Sequence, residues 1–265
     1  MVLVVAHRGS SAAHAEHTLA AYESALAEGA DALECDVRLT RDGVLVCVHD
    51  RRVDRTSDGR GVVSTLELAD LADLDFASWK ARRADPRREL SSEEPDRDRG
   101  RVLTFERLLQ LALDQARPAQ LHVETKHPTR YGGLVERNLV DLLERYGVAA
   151  PPNRSVSLVT VMSFAPTSLR RVHAMAPTVP TVLLMDRVPL RYRDGSLPPQ
   201  VPVAGPSLEV LTAYPGYVER VHSHGHRVHV WTVDEPADIA AMLALGVDAV
   251  ISNRPRQVLQ ALGRA

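Results

Sequence analysis

The first concentration of chemistry in this sequence is Glu34 and Asp36, one residue apart in the apolar run Ala32–Val37. In an extended strand successive side chains alternate, so these two carboxylates share a face while Leu33, Cys35 and Val37 take the other. Adjacent anions repel and lose hydration when buried, and a bound cation is the least costly way to hold them together. In His122-Val123-Glu124-Thr125-Lys126 the same period aligns Glu124 with Lys126, adding a third carboxylate and an ammonium. Three carboxylates without cysteine or histidine at zinc spacing favour a hard, oxygen-seeking ion, Mg²⁺ or Ca²⁺, between which these residues do not choose. His7 ends the run Val2–Ala6 and precedes Arg8-Gly9, while His49 ends Val44–Val48 and precedes Asp50. Each histidine can titrate near neutral pH and act as acid or base. Arg8 can grip a phosphate with its planar fork, and Gly9 would let that phosphate approach the backbone. A lone Glu-x-Asp is better read as a structural salt bridge, but two histidines and an arginine at neighbouring strand ends weigh against that reading.

Such residues must be held by a scaffold that brings many strand ends together. Strand-length apolar runs recur at Val2–Ala6, Ala32–Val37, Val44–Val48, Gln120–Val123, Ser157–Met162, Thr181–Met185, Arg227–Val230 and Asp248–Ile251, and most precede an amphipathic helical stretch. Thr18 can cap the first helix, Leu19, Tyr22 and Leu26 form its stripe, and Gly29 can close it. Later, Asp234 can cap, Pro236 suits the first turn, and Gly246 ends the helix. This alternation implies a parallel sheet, and the strand number favours an α/β TIM-type (β/α)8 barrel over an open sheet. Two places blur the count: Asp42-Gly43 joins two runs with no room for a helix, and Val201–Val203 is a possible further strand. The segment at about 51–101 interrupts the pattern with a loop, a short helix around Leu66–Leu74 and a charged run Arg82–Arg101 that reads as a surface loop. One domain over 1–265, with an insertion at about 51–101, is expected.

Composition sets the class. Among 265 residues, 45% are hydrophobic and 25% charged, which suits a soluble globular chain, and the net charge of -2 gives no basic footprint for nucleic acid. No apolar stretch reaches the roughly 20 residues of a spanning helix. Val2–Ala6 is too short for a signal sequence, and Cys35 and Cys47, both in strand-like runs, suit a reducing compartment, so a cytoplasmic protein is expected.

Several short motifs then fall in order: A-H-R-G at Ala6–Gly9, E-H-T at Glu16–Thr18, E-C-D at Glu34–Asp36, H-D at His49–Asp50 and R-T at Arg55–Thr56. L-T-F-E at Leu103–Glu106, E-T-K at Glu124–Lys126, V-W-T-V at Val230–Val233 and I-S-N-R-P at Ile251–Pro255 follow. Together they resemble the glycerophosphodiester phosphodiesterase family over nearly the whole chain. The resemblance implies a (β/α)8 barrel with a small insertion after the third strand and one divalent cation, Mg²⁺ or Ca²⁺, held by Glu34, Asp36 and Glu124. It further implies His7 and His49 as the acid–base pair, Arg8 and Lys126 holding phosphate, Trp231 lining the substrate's apolar side, and Glu16 supporting the site. The implied reaction releases sn-glycerol 3-phosphate and an alcohol from a small glycerophosphodiester. Lipid-sized diesters, as for a lysophospholipase D, are the alternative substrate class, and a barrel that binds diesters without cleaving them is the alternative from outside enzymology.

Three positions depart from the pattern: His17 where the family usually has Asn, Asp234 where Asn is frequent, and Asn253 where Asp is common. Other histidines are assigned no chemistry. His222-Ser223-His224-Gly225-His226 looks like a metal tract but falls where a helix ends, and His122 and His229 are expected to be buried and hydrogen-bonded in the core. Trp79 in the insertion is expected either to cover the site or to anchor its segment. Oligomeric state is not legible.

Overall fold

The computed structural model describes residues 1–84, 100–130 and 132–265; most of the charged run Arg82–Arg101 therefore lies outside the described residues. Nine strands form one sheet: β1 (Leu3–His7), β2 (Ala32–Leu39), β3 (Leu45–Cys47), β4 (Gln120–Thr125), β5 (Val159–Ser163), β6 (Thr181–Met185), β7 (Val203–Pro206), β8 (Arg227–Val230) and β9 (Ala249–Ser252). All are parallel to their neighbours except β3, and β1 pairs with both β2 and β9, which closes a ring of eight parallel strands. This is a TIM barrel.

Two strands differ from the sequence expectation. β3, from the run Val44–Val48, is not a stave: it folds back antiparallel on β2, with Val37 opposite Cys47, as the short Asp42-Gly43 link requires. The missing stave is β7, which pairs with β6 and β8 and grows from the doubtful Val201–Val203 run. The barrel neighbour of β2 is β4, reached through the insertion.

The helices are α1 (Leu19–Glu28), α2 (Leu68–Ala72), α3 (Ser78–Ala84), α4 (Phe105–Leu113), α5 (Leu134–Arg145), α6 (Pro166–Met175), α7 (Leu208–Ala213), α8 (Tyr217–Ser223), α9 (Pro236–Ala244) and α10 (Pro255–Ala261). Thr18 caps α1 by accepting from the Ala21 amide, and Gly29 ends it at φ 92°, as the sequence indicates. Asp234 does not cap α9: Glu235 holds that position, and the Asp234 carboxylate bonds Ser252 and Asn253 instead.

Apolar packing divides into three regions. Val5, Ala32, Met162, Val182, Leu184, Val203, Ala249 and Ile251 fill the barrel interior. Larger clusters seat the helices on the outside of the barrel, with Tyr22, Phe105, Leu108 and Leu143 fully buried on one side and Leu169, Tyr217, Val228 and Val250 on the other. Between β3 and α4 a small satellite core of Val46, Val48, Val53, Val63, Leu71 and Phe76 holds the insertion against the hairpin.

Candidate active site

Strand register assembles the site. His7 lies opposite Glu34, and Asp36 opposite Glu124, in adjacent parallel strands. Registered residues of parallel neighbours project to the same side, so four nominated side chains converge at the C-terminal end of the barrel, where barrel enzymes place their chemistry. His49 reaches the same rim from just beyond β3. One cavity of about 120 Å³ is lined by His7, Arg8, Glu34, His49, Glu124, Lys126 and Trp231.

Beneath that cavity Glu34, Asp36 and Glu124 are buried, and one oxygen of each lies within 4.8 Å of the others. Their surroundings differ. Burial alone would raise Asp36, but Arg8, the His17 hydrogen bond and Lys126 outweigh it and hold this carboxyl well below its usual range. Burial and then Asp36 push Glu34 up, and the same two causes bring Glu124 to about 8. Lys126 Nζ lies 2.7 Å from Glu124 Oε1 and 3.2 Å from Asp36 Oδ1, so its ammonium offsets part of the triad's negative charge. That second contact lacks hydrogen-bond alignment, so Asp36 Oδ1 is a buried oxygen with coulombic pairing and no directed donor. An all-carboxylate set with such an oxygen and two partly uncompensated members fits a hard divalent cation.

Around the triad runs a second tier of charges. Arg8 spans Glu16, at 2.9 Å from Nη1, and Asp36, at 3.0 Å from Nε, and its amide donates to Glu34. Glu16, whose part the sequence leaves open, joins two arginines: Arg55 also donates to it at 2.8 and 2.9 Å. Burial would raise Glu16, but Arg55 and Arg8 bring it down to about 2. Arg55 continues to Asp50 at 2.6 Å, and Asp50 accepts from His49 Nδ1 at 2.7 Å. His49 is thus braced through Asp50, Arg55 and Glu16 to Arg8. Trp79 stacks near Arg55 at 5.9 Å while its indole N–H donates to Phe76, so it anchors the insertion to this chain of charges.

Sequence reading missed Arg38. It shares the inward parity of Glu34 and Asp36, and its Nε and Nη2 both donate to the carbonyl of His49, at 3.0 and 2.7 Å. Phe164 was missed too; it meets Trp231 edge-on at 5.4 Å and lines the cavity. Gly9 has a packing role: at φ 83° an added Cβ would lie 2.6 Å from the Ala21 carbonyl carbon.

The three departures have structural counterparts. His17 adopts φ 60°, a left-handed conformation in which Asn, Asp and His are enriched, and its Nε2 donates to Asp36 Oδ2 at 2.9 Å. Asp234 and Asn253 prove to be partners: Asp234 accepts from the Asn253 amide group at 2.6 Å and from its backbone N–H at 2.8 Å. With its NH₂ fixed on a carboxylate, Asn253 turns Oδ1 to His7 Nδ1 at 2.7 Å, and Ser11 donates to the same oxygen. His7 therefore carries its proton on Nδ1, leaving the Nε2 lone pair on the Glu34 side, 3.9 Å from Oε2. Burial, then Arg8, lowers His7 to about 3.

Among the histidines given no chemistry, His222 pairs with Asp248 at 2.9 Å, and the only metal-compatible cluster among the described residues is the carboxylate triad. His122 and His229 are buried as expected, but they stack on each other at 5.2 Å beside a cavity at the N-terminal end of the barrel, and among the described residues neither Nδ1 has a hydrogen-bond partner.

A carboxylate triad, paired strand-end histidines and a cavity between them agree with what comparison with known proteins finds. Residues 7–257 match the glycerophosphoryl diester phosphodiesterase family model. The chain belongs to that family. A probable glycerophosphodiester phosphodiesterase 1 of Mycobacterium tuberculosis is 48% identical over 256 residues, covering 95% of this chain and 89% of its own. The glycerophosphodiester phosphodiesterase of Bacillus subtilis is 32% identical over 96% of this chain and 84% of its own. Among solved structures, an Oleispira antarctica phosphodiesterase in complex with the product sn-glycerol-3-phosphate superposes with a TM-score of 0.83 at 23% identity, over 98% of this chain and 96% of that one, a likeness of fold.

Proposed function

We propose that this chain hydrolyses small glycerophosphodiesters to sn-glycerol 3-phosphate and an alcohol, in the cavity at the C-terminal end of the barrel. The observation that carries the reading is the convergence of His7, Arg8, Glu34, His49, Glu124, Lys126 and Trp231 on one small cavity, in a chain of this family. A divalent cation, Mg²⁺ or Ca²⁺, held by Glu34, Asp36 and Glu124 would supply Lewis-acid stabilisation of a non-bridging phosphate oxygen. Arg8 and Lys126 add fixed positive charge beside the same oxygens, in a site whose low dielectric strengthens each interaction. The two histidines are not equivalent. His7 is bonded to a neutral amide and is free of a second proton near neutrality, so its Nε2 accepts the proton of the attacking oxygen. Burial lowers His49, while Asp36 and the Nδ1 hydrogen bond to Asp50 act against that and favour the cationic form; as the second histidine of the cavity it returns a proton to the leaving alkoxide. Trp231 and Phe164 give the substrate's carbon skeleton an apolar wall. Glu16 keeps Arg8 and Arg55 in place.

No helix among the described residues is long and apolar enough to cross a membrane. Cys35 and Cys47 are both free and buried, which supports action in the cytoplasm.

Release of glycerol 3-phosphate from glycerophosphoglycerol by chelator-treated protein, with Mg²⁺ or Ca²⁺ added back, tests the reading. Activity restored by metal in the wild type and absent in Glu34→Ala is the expected result. Turnover that survives chelation, or an active Glu34→Ala, would sink the metal assignment, and no turnover under any condition would sink the hydrolytic one.

A further inference from the structure

The catalytic cavity, at about 120 Å³, lies well below the roughly 300 Å³ at which ordinary ligand pockets begin, so a diester's leaving group must extend beyond it. A second cavity of about 260 Å³ adjoins it, and Lys126 lines both. This second cavity lies between the end of β2, the start of the insertion and the β4–α5 loop. Its charged lining consists of Arg38, Arg51, Lys126 and Arg130, with no carboxylate among the described residues. The excess is local, since the whole chain carries a net charge of -2.

Arg38 spends two donors on the neutral carbonyl of His49 and makes no ion pair among the described residues. Arg51 likewise forms no ion pair there. Val62 and Pro128 supply apolar walls that limit screening by water. With Lys126 committed to Glu124 and Asp36, Arg38 and Arg51 above all give this partly enclosed recess its positive potential, which attracts an anion and repels a cationic group of the same size.

We propose that this recess is the leaving-group subsite, and that it selects glycerophosphodiesters whose leaving alcohol carries a second anionic group, a phosphate or carboxylate. Arg51 and Arg130 bind that second anion at the outer wall. Arg38 supplies charge at the inner wall while holding His49 by its carbonyl. A quaternary or primary ammonium head group is disfavoured here. The assignment rests on the hydrolytic reading above and narrows its substrate class.

The test compares kcat/KM for three diesters: bis(glycerophospho)glycerol, whose leaving alcohol bears a second phosphodiester, glycerophosphoglycerol, whose leaving alcohol is neutral, and glycerophosphocholine. Wild type should prefer the anionic substrate over the choline diester by about tenfold or more, mainly through KM, since each tenfold corresponds to one good charge-assisted contact. Arg51→Gln/Arg130→Gln should bring that preference to within about threefold, with a clearly smaller loss on glycerophosphoglycerol than on the anionic substrate. Equal wild-type values for the anionic and choline substrates, or an equal fractional loss on all three in the double variant, would overturn the proposal. If no diester is cleaved, the hydrolytic reading fails by itself, and calorimetric titration of bis(glycerophospho)glycerol then decides: binding that the double variant loses sustains the subsite, and no binding removes it. Inorganic phosphate is the remaining arm. Phosphate binding that depends on Arg51 and Arg130, with no preference among the substrates, would make this a site for a free anion and overturn the leaving-group assignment.

Discussion

Replacing Asn253 by Asp should damage this protein, and replacing Asp234 by Asn at the same time should repair it. Asp234 Oδ2 lies 2.6 Å from the Asn253 amide nitrogen, and Asp234 Oδ1 accepts the Asn253 backbone N–H at 2.8 Å. In Asn253→Asp a carboxylate oxygen takes the place of that nitrogen, so a hydrogen bond becomes a contact between like charges. At an effective dielectric constant of about 20, two unit charges 4 Å apart interact by about 4 kcal/mol. Both side chains are only partly buried, and rotation or proton uptake relieves part of the repulsion, which leaves a destabilisation of about 2–4 kcal/mol. For a protein near this size each kcal/mol moves Tm by roughly 2–4 °C, so a fall of about 5–15 °C is expected in thermal unfolding followed by circular dichroism. The double variant Asp234→Asn/Asn253→Asp recreates one carboxylate, one amide and every hydrogen bond between them, now with the carboxylate facing His7 Nδ1. Its Tm should return to within about 4 °C of wild type, a coupling that a double-mutant cycle measures directly. His7 keeps its Nδ1 proton in the double variant, so kcat should recover as well. An unaffected single variant, or a double variant no better than the single, would refute the claim that these two residues act as one unit.

Three further outcomes are expected. His7→Ala and His49→Ala should each lower kcat by about 10²–10⁴ with unchanged far-ultraviolet dichroism, and a milder loss at both would end the acid–base assignment. Arg55→Met removes the link between Glu16 and Asp50; through misplacement of His49 and Arg8, kcat should drop by up to about 10², while a variant as fast as wild type would show the chain of charges to be ornamental to turnover. Glu136 is buried on α5 between His127 at 3.2 Å and Arg171 at 3.3 Å; burial would raise it, but the close contact with His127 brings it down to about 2 from an ordinary 4.5. A depressed carboxyl contributes stability above its unfolded pKa and loses it as pH falls through the folded one, so the stability gap between wild type and Glu136→Gln, of about 3 kcal/mol in urea unfolding at pH 7, should shrink between pH 4.5 and 2. A gap that stays constant across that window would count against the pairing.

Much of the site was legible because its logic has period two. Once Ala32–Val37 is read as a strand, Glu34 and Asp36 must share a face, and the inward register that places them also places Glu124 opposite Asp36 and His7 opposite Glu34. The shared face of Glu34 and Asp36 follows from alternation alone, and the parallel register adds Glu124 and His7. Strand identity was less legible, for reasons of composition. Val44–Val48 has the β-branched residues of a stave, but the two-residue Asp42-Gly43 link commits it to an antiparallel hairpin, since a parallel return needs a crossover. The stave β7 contains Gly205 and Pro206, which weaken any strand signal, yet Gly205 is required: a Cβ there would lie 2.8 Å from Val182 Cγ1 and 2.9 Å from Leu184 Cδ2.

The least legible feature was the pairing of residues far apart in sequence through polar atoms. Asp234 and Asn253 each look like an isolated departure when read along the chain, because no periodicity links the end of β8 to the end of β9. Adjacent staves bring both strand ends to one rim, and there the two departures are reciprocal: what one position loses in charge the other supplies. Arg38 escaped notice for a related reason. Its donors go to a backbone carbonyl, a partner that every residue offers and that no sequence motif can mark, so its hold on His49 becomes visible only when the hairpin places β2 beside the residue that follows β3. The proposed carboxylate ligands and His7 are thus placed by strand periodicity and register, whereas the groups that orient them depend on which strand ends the closed barrel makes neighbours.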